Sequence, residues 1–318
     1  MRGLGFSVLF LLGCGEIIAP PGEPTRDSPP NPVLIDYPLR PVKAGGVGIL
    51  AVPRKETRIL QVQTGAWQPH EWLTIEHDAI RDLASVTIHD NRLYMSAFHP
   101  VDTVAVVSRD GQLIDTLYYD WLQEPVKVLV RDGRIYVLCN DSENIVVFDA
   151  ETHAFVDDFG ALLELGQPAM RYPHDMAWGP DGNLYVTNES SLTGPVQIWS
   201  PDGQFIGGFG HDGGTEGWIP TGITFDVNGD VLVANYWQGS VLRFDGSTHE
   251  YRGLAVPAKA GSIQHPNRVR VGPKGQIYVT HRDGLTILDA DGGLVDEVTN
   301  AALGVQGRLA EILFYTYK

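Results

Sequence analysis

The sequence predicts an all-β chain: a six-bladed β-propeller of four-stranded antiparallel blades, its ring closed by a terminal strand. Three observations carry that expectation. First, the segments YPHDMAWGPDGNLYVTN (172–188), IPTGITFDVNGDVLVAN (219–235) and HPNRVRVGPKGQIYVTH (265–281) superpose over seventeen positions without a gap. Second, the prolines heading successive units, Pro125, Pro173, Pro220 and Pro266, stand 48, 47 and 46 residues apart, and a propeller blade takes about 40–50. Third, each unit reads as two hairpins in succession, which together make one four-stranded sheet.

The elements follow in order. Gly46 to Ile75 has strands at Val47–Val52 and Arg58–Val62 and a Thr64-Gly65 turn, but no clear opening strand. The second unit runs Leu83–Ile88, Asp90-Asn91, Arg92–Ala97, with a later turn at Asp110-Gly111. The third leads from Glu124-Pro125 through Val126–Val130 and Asp132-Gly133 to Arg134–Cys139, turning again near Asp149-Ala150. The fourth, fifth and sixth turn at Asp181-Gly182, Asn228-Gly229 and Lys274-Gly275; Asn-Gly and Asp-Gly accept the positive φ of tight hairpins at low cost. Residues 41 to 318, at about 46 per unit, make six blades. Because the first unit lacks a strand, the unpaired run Ile312-Leu313-Phe314-Tyr315-Thr316-Tyr317 is expected to complete it, with Val33-Leu34-Ile35-Asp36 as the alternative. Closure between the chain ends removes free edges that would template aggregation.

An apolar content of 43%, with 36 Gly and 21 Pro to supply turns, suits a large all-β chain. The net charge of −16 repels phosphate backbones, and no Lys/Arg cluster stands out, so nucleic acid is excluded as a partner. Arg2 followed by the apolar Phe6 to Leu12 reads as a targeting segment too short to span a bilayer. Leu11-Leu12-Gly13-Cys14 resembles a bacterial lipobox, which implies a signal peptide over 1–13 and a lipidated Cys14. An ordinary secretory signal with a chance cysteine is the alternative. Residues 14–32, rich in proline, read as a stiff tether, and 33–318 as the propeller. With Gly15 rather than Asp after the cysteine, the expected location is the outer membrane, facing periplasm or exterior, with the lipid as the sole membrane contact and the chain a monomer. Cys139, the other cysteine, lies in the apolar run Ile135–Cys139 and is expected to be a buried structural thiol.

The pattern Pro-x-x-Ile/Met followed by Gly-x-Ile/Leu-Tyr-Val-x-Asn resembles the NHL repeat, best from 172 to 299. The resemblance implies the propeller fold and kinship with extracytoplasmic bacterial propellers, streptogramin lyases, peptidyl-hydroxyglycine amidating lyases and, more loosely, metal-dependent lactonases. Function does not transfer with it, because the shared residues are those that build blades. Two departures matter. Where many such repeats carry Asp after the second strand, this chain has Asn140, Asn188, Asn235 and His281; and in Pro173-His174-Asp175, Asp175 stands where the lyase-like phrase has glycine.

In a propeller the starts of the inner strands and the ends of the second strands meet at one mouth of the channel. That rule gathers His174, Thr221 and Asn267 with Asn140, Asn188, Asn235 and His281, and the adjoining loops add Asp141, Glu189, Tyr236, Trp237, His265, Arg268, Arg282 and Asp283. Trp218, just before Ile219-Pro220, and Trp237 are the aromatic candidates for lining a pocket there, while Trp178 and Trp199 fall within strands and should pack between blades. His174 and His281 could ligate a divalent metal, with Glu189 or Asp175 adding oxygen. The asparagines could equally serve only to bond backbone in tight loops. The Gly207–Gly214 stretch lacks the lysine and helix of a phosphate loop, and no common hydrolase, zinc-protease, redox or haem motif occurs. Two functions therefore compete: a binding propeller for a protein, glycan or small-molecule ligand at the mouth, and a metal-dependent lyase or lactonase at the same place; a purely structural role as an envelope scaffold, suggested by the acidic exterior, is the third reading.

Overall fold

The computed structural model describes residues 33–34 and 47–316, except 76, 78–79, 100–101, 162–167, 190–192, 211–217 and 258–262. The signal peptide, Cys14 and the tether lie outside the described residues.

The described chain is all β. Blade 1 combines β1 (Val33–Leu34), β2 (Gly48–Pro53), β3 (Arg58–Gln63) and β4 (His70–Thr74) with a strand from the far end of the chain. Blade 2 is β5 (Arg81–His89), β6 (Arg92–His99), β7 (Thr103–Ser108) and β8 (Leu113–Leu117). Blade 3 is β9 (Pro125–Arg131), β10 (Arg134–Cys139), β11 (Asn144–Asp149) and β12 (Phe155–Phe159). Blade 4 is β13 (Pro173–Trp178), β14 (Leu184–Asn188), β15 (Val196–Trp199) and β16 (Phe205–Phe209). Blade 5 is β17 (Pro220–Phe225), β18 (Val231–Asn235), β19 (Ser240–Phe244) and β20 (Tyr251–Val256). Blade 6 is β21 (Arg268–Val271), β22 (Ile277–His281), β23 (Gly284–Leu288) and β24 (Leu294–Thr299). Last comes β25 (Leu309–Thr316), which pairs antiparallel with β2 and fills the inner position of blade 1.

The C-terminal run therefore supplies the missing strand. The N-terminal alternative contributes as well, since Val33 and Leu34 add two parallel pairs to Tyr315 and Thr316. Both chain ends are stitched into one blade.

The turns obey the local chemistry of their residues. At Asp90-Asn91 and Asp132-Gly133 both central residues have positive φ (44° and 64°; 50° and 72°), the mirror-image turn whose twist matches that of the flanking strands. At Gly182, Gly229 and Gly275 only the glycine crosses into that region. Within blades the pattern is outward-polar: the burial of β10, β14, β18 and β22 is nearly complete, while the outer β12 and β16 are mostly exposed or half-buried.

Apolar burial is distributed around the ring rather than gathered at its centre. Each of six clusters joins neighbouring blades, as where Leu50, Val52 and Ile59 of blade 1 meet Val86, Leu93 and Met95 of blade 2. The closing seam is of the same kind: Ile49, Leu60 and Ile312 of blade 1 pack on Tyr278, Leu285 and Ile287 of blade 6. Trp178 and Trp199 fall in the interface of blades 3 and 4, where Trp178 meets Tyr136 edge-on at 5.1 Å. Cys139 is fully buried between blades 2 and 3, and burial pushes its thiol up to about 12, so it is inert at neutral pH.

Candidate functional site at the mouth of the channel

With the apolar surface spent between blades, the ring's centre is left polar, and a repeated backbone irregularity shapes one end of it. In five blades the ladder between the two innermost strands slips by one residue at its start. The skipped residues are Ala84, Val126, His174, Thr221 and Ala310; Asn267 stands at the matching place in blade 6. A bulge re-aims a side chain. All six residues line one cavity of about 310 Å³ at the channel mouth.

Arg54, Phe98, Asn140, Glu189 and Tyr236, at or just beyond the ends of the second strands, line the same cavity, together with Glu124, Arg268 and Arg308. His174 Nε2 lies 3.5 Å from Glu189 Oε2. Burial, then Arg268, lowers the imidazole's pKa against the pull of Glu189, so His174 is neutral at physiological pH. At the rim Tyr236, Trp237 and His265 cluster, with Tyr236 and His265 centred 4.5 Å apart; Trp237 is 59% exposed, leaving its ring open to a ligand.

The asparagines divide into two kinds. Asn188 and Asn235 are buried and cap the chain entering their own blade, their Oδ1 atoms accepting from the Arg171 and Ile219 amides. Asn140 and Asn267 line the cavity and bond forward, donating to the carbonyls of Pro173 (2.8 Å) and Leu309 (3.3 Å) in the next blade. Thr221 does the same toward Pro266 at 2.7 Å.

Asn188, Asn235 and Trp237 are not among the residues lining the cavity, and two more predicted site residues turn away from it altogether. Trp218 is 9% exposed and stacks on Phe244 at 5.9 Å in the core between blades 4 and 5, because the apolar interface competes for a ring that size. His281 turns into its own hairpin: Nε2 lies 3.0 Å from Thr286 Oγ1, and Nδ1 accepts the Asp283 amide. Neither lines the cavity. A divalent metal would thus find His174 and Glu189 together but His281 engaged within blade 6, and the mouth presents guanidinium charge instead. Among the described residues no three His, Cys, Asp or Glu side chains gather as a metal site.

Below the mouth the residue after each bulge includes four charges, Lys127, Asp175, Arg268 and Glu311, which sequence reasoning did not assemble. Arg270 joins them, donating from Nη1 to Asp175 Oδ2 at 2.8 Å and from Nη2 to Glu311 Oε2 at 2.7 Å. Lys127 Nζ pairs with Glu311 Oε2. Burial disfavours charge on both carboxylates, yet Arg270, with Arg268 and Lys127, outweighs it and holds each below its usual range. Asp175 also accepts the Met176 and Ile223 amides, 3.0 and 3.1 Å away. Its departure from glycine was the sequence signal of this network. Glycine does stand at the matching place in blade 5, where a Cβ on Gly222 would come within 2.8 Å of the Arg268 backbone.

A larger, more open depression of about 550 Å³ lies between blades 1 and 2, lined by Lys55, Glu56, Arg58, Glu71, Arg81 and Asp82 among others. Its Arg58 is already taken by Glu56 and the Gly304 carbonyl. The mouth, with contributions from every blade, is the built site.

No protein-family model matches the sequence, and no curated protein matches it. Solved structures do. A chain of the nidogen/laminin complex superposes with a TM-score of 0.64 at 15% identity, covering 84% of this chain and 97% of that one. A protein of unknown function from Bacteroides caccae gives 0.62 at 16% identity, covering 86% and 100%. Virginiamycin B lyase from Staphylococcus aureus gives 0.58 at 14% identity, covering 86% and 85%. At these identities the likeness is one of fold. It is the six-bladed propeller.

Proposed function

We propose that this chain is a lipid-anchored propeller of the bacterial cell envelope, acylated at Cys14, that binds a ligand at the mouth of its channel. The observation that supports it most is the cavity of about 310 Å³ lined by the five bulge residues and, from blade 6, by Asn267. That volume suits a small molecule, or the tip of a glycan or peptide. His174 and Glu189 offer directional hydrogen bonding, and Tyr236 and Trp237 offer stacking at the rim. The fold is shared with a chain of the nidogen/laminin complex and with virginiamycin B lyase, so it is compatible with binding a protein or a small molecule.

The test is a screen of the full-length chain against glycan, peptide and metabolite libraries by native mass spectrometry, repeated with His174→Ala and Glu189→Gln. Hits should weaken in both variants. Hits that bind both variants as tightly as wild type would place recognition elsewhere and end this reading.

A further inference from the structure

Resting on the mouth as the ligand site, we infer that it takes a small anion, a carboxylate- or phosphate-bearing molecule, seated on Arg54 and Arg308 above Arg268. The chain as a whole carries a charge of −16, yet this cavity gathers three guanidiniums against two carboxylates, Glu124 and Glu189.

Neither of the two peripheral arginines is neutralised by pairing. Among the described residues Arg54 and Arg308 have no carboxylate within ion-pair distance; Arg54 lies over the Phe98 ring at 5.5 Å. Their backbones are clamped side by side, the Arg54 amide donating to the Arg308 carbonyl at 2.9 Å where β2 and β25 meet. Two forks thus rise from neighbouring strand ends. Arg268 forms the floor, donating to the carbonyls of Val126, His174 and Thr221, one from each of blades 3, 4 and 5. Those bonds orient it without cancelling its charge. Its Nε is buried with no hydrogen-bond partner, and the nearest carboxylate oxygen, on Asp175, is 4.0 Å away.

The electrostatics agree. Burial, with Arg268, lowers the pKa of Arg54 against the opposing pull of Glu124 and Asp82. Arg308 is lowered by burial and by both other arginines. Burial and Asp141 raise Glu124, weakening it as a counter-ion, and Glu189 faces His174. A guanidinium fork matches a carboxylate or phosphate two bonds at a time, and a bound oxyanion relieves the mutual repulsion. Blade 1 stands opposite blade 4 in the ring, so the anionic group would face Arg54 and Arg308 while the remainder reaches His174 and Glu189.

Isothermal titration of the full-length chain with citrate, phosphate and uncharged N-acetylglucosamine, at fixed ionic strength, decides the matter. Citrate or phosphate should bind, and Arg54→Gln or Arg308→Gln should weaken it at least about tenfold, the loss of one charge-assisted fork. Without ligand, neither variant should melt below wild type, because each removes a half-buried cation that has no carboxylate partner among the described residues. Absent oxyanion binding, or binding unchanged in both variants, overturns the inference. If N-acetylglucosamine alone binds, and His174→Ala weakens it, the anion is wrong and the mouth reading stands; if no probe or library hit responds to His174→Ala, both fall.

Discussion

The channel and its mouth use the same kind of residue to opposite ends. In the channel Asp175 and Glu311 are each saturated by the cations around them, Arg270 and Lys127 foremost. At the mouth, Arg54 and Arg308 are half-buried and, among the described residues, lack a carboxylate partner. A buried charge with its partner locks blades together; one without a partner costs stability until something from outside supplies it. The contrast distinguishes a structural polar centre from a binding site within one ring.

The comparison can be broken most severely by removing β25. Ending the chain after Arg308 deletes both Glu311 and the inner strand of blade 1, so the product should be insoluble or melt without a cooperative transition. A soluble truncation with an unchanged melting temperature would mean that closure lies elsewhere. Next in size, Asp175→Ala or Glu311→Ala leaves the buried Arg270 half-paired and should cost about 3–5 kcal/mol in urea denaturation.

Acid gives a gentler version of the same loss. The two carboxyls titrate lower in the folded chain than in the unfolded one, so their contribution is complete above about pH 4 and declines as pH falls through the folded values. Stability measured from pH 6 downward should fall below about pH 4, and less steeply in Glu311→Gln. An equal slope would show that other carboxylates dominate. The smallest effect concerns Cys139: the native chain should not react with a thiol reagent, and the denatured chain should.

How much of this could be read beforehand follows from sequence distance. The Gly182, Gly229 and Gly275 turns and the Pro-headed strands are local, so blade count and hairpins were legible. So was the role of the 312–317 run, because its apolar alternation had no partner in blade 6. The fate of Trp218 and His281 was not, since position in a strand does not say which way a ring turns once an apolar interface or a Thr286 hydroxyl competes for it. The channel network was least legible: Asp175 meets Arg270 across 95 residues and Lys127 meets Glu311 across 184. Arg54 and Arg308 belong to no repeat motif. Only the pairing of β2 with β25 brings them to one mouth.

Thermal denaturation of Arg270→Met beside Arg308→Met, both without ligand, tests the central contrast most directly. Arg270→Met should lower the melting temperature strongly by leaving Asp175 and Glu311 buried with too little positive charge, whereas Arg308→Met should leave it unchanged or raise it. Equal losses in both variants would contradict the account, because Arg308 would then be part of the ring's structure and not a cation awaiting a ligand.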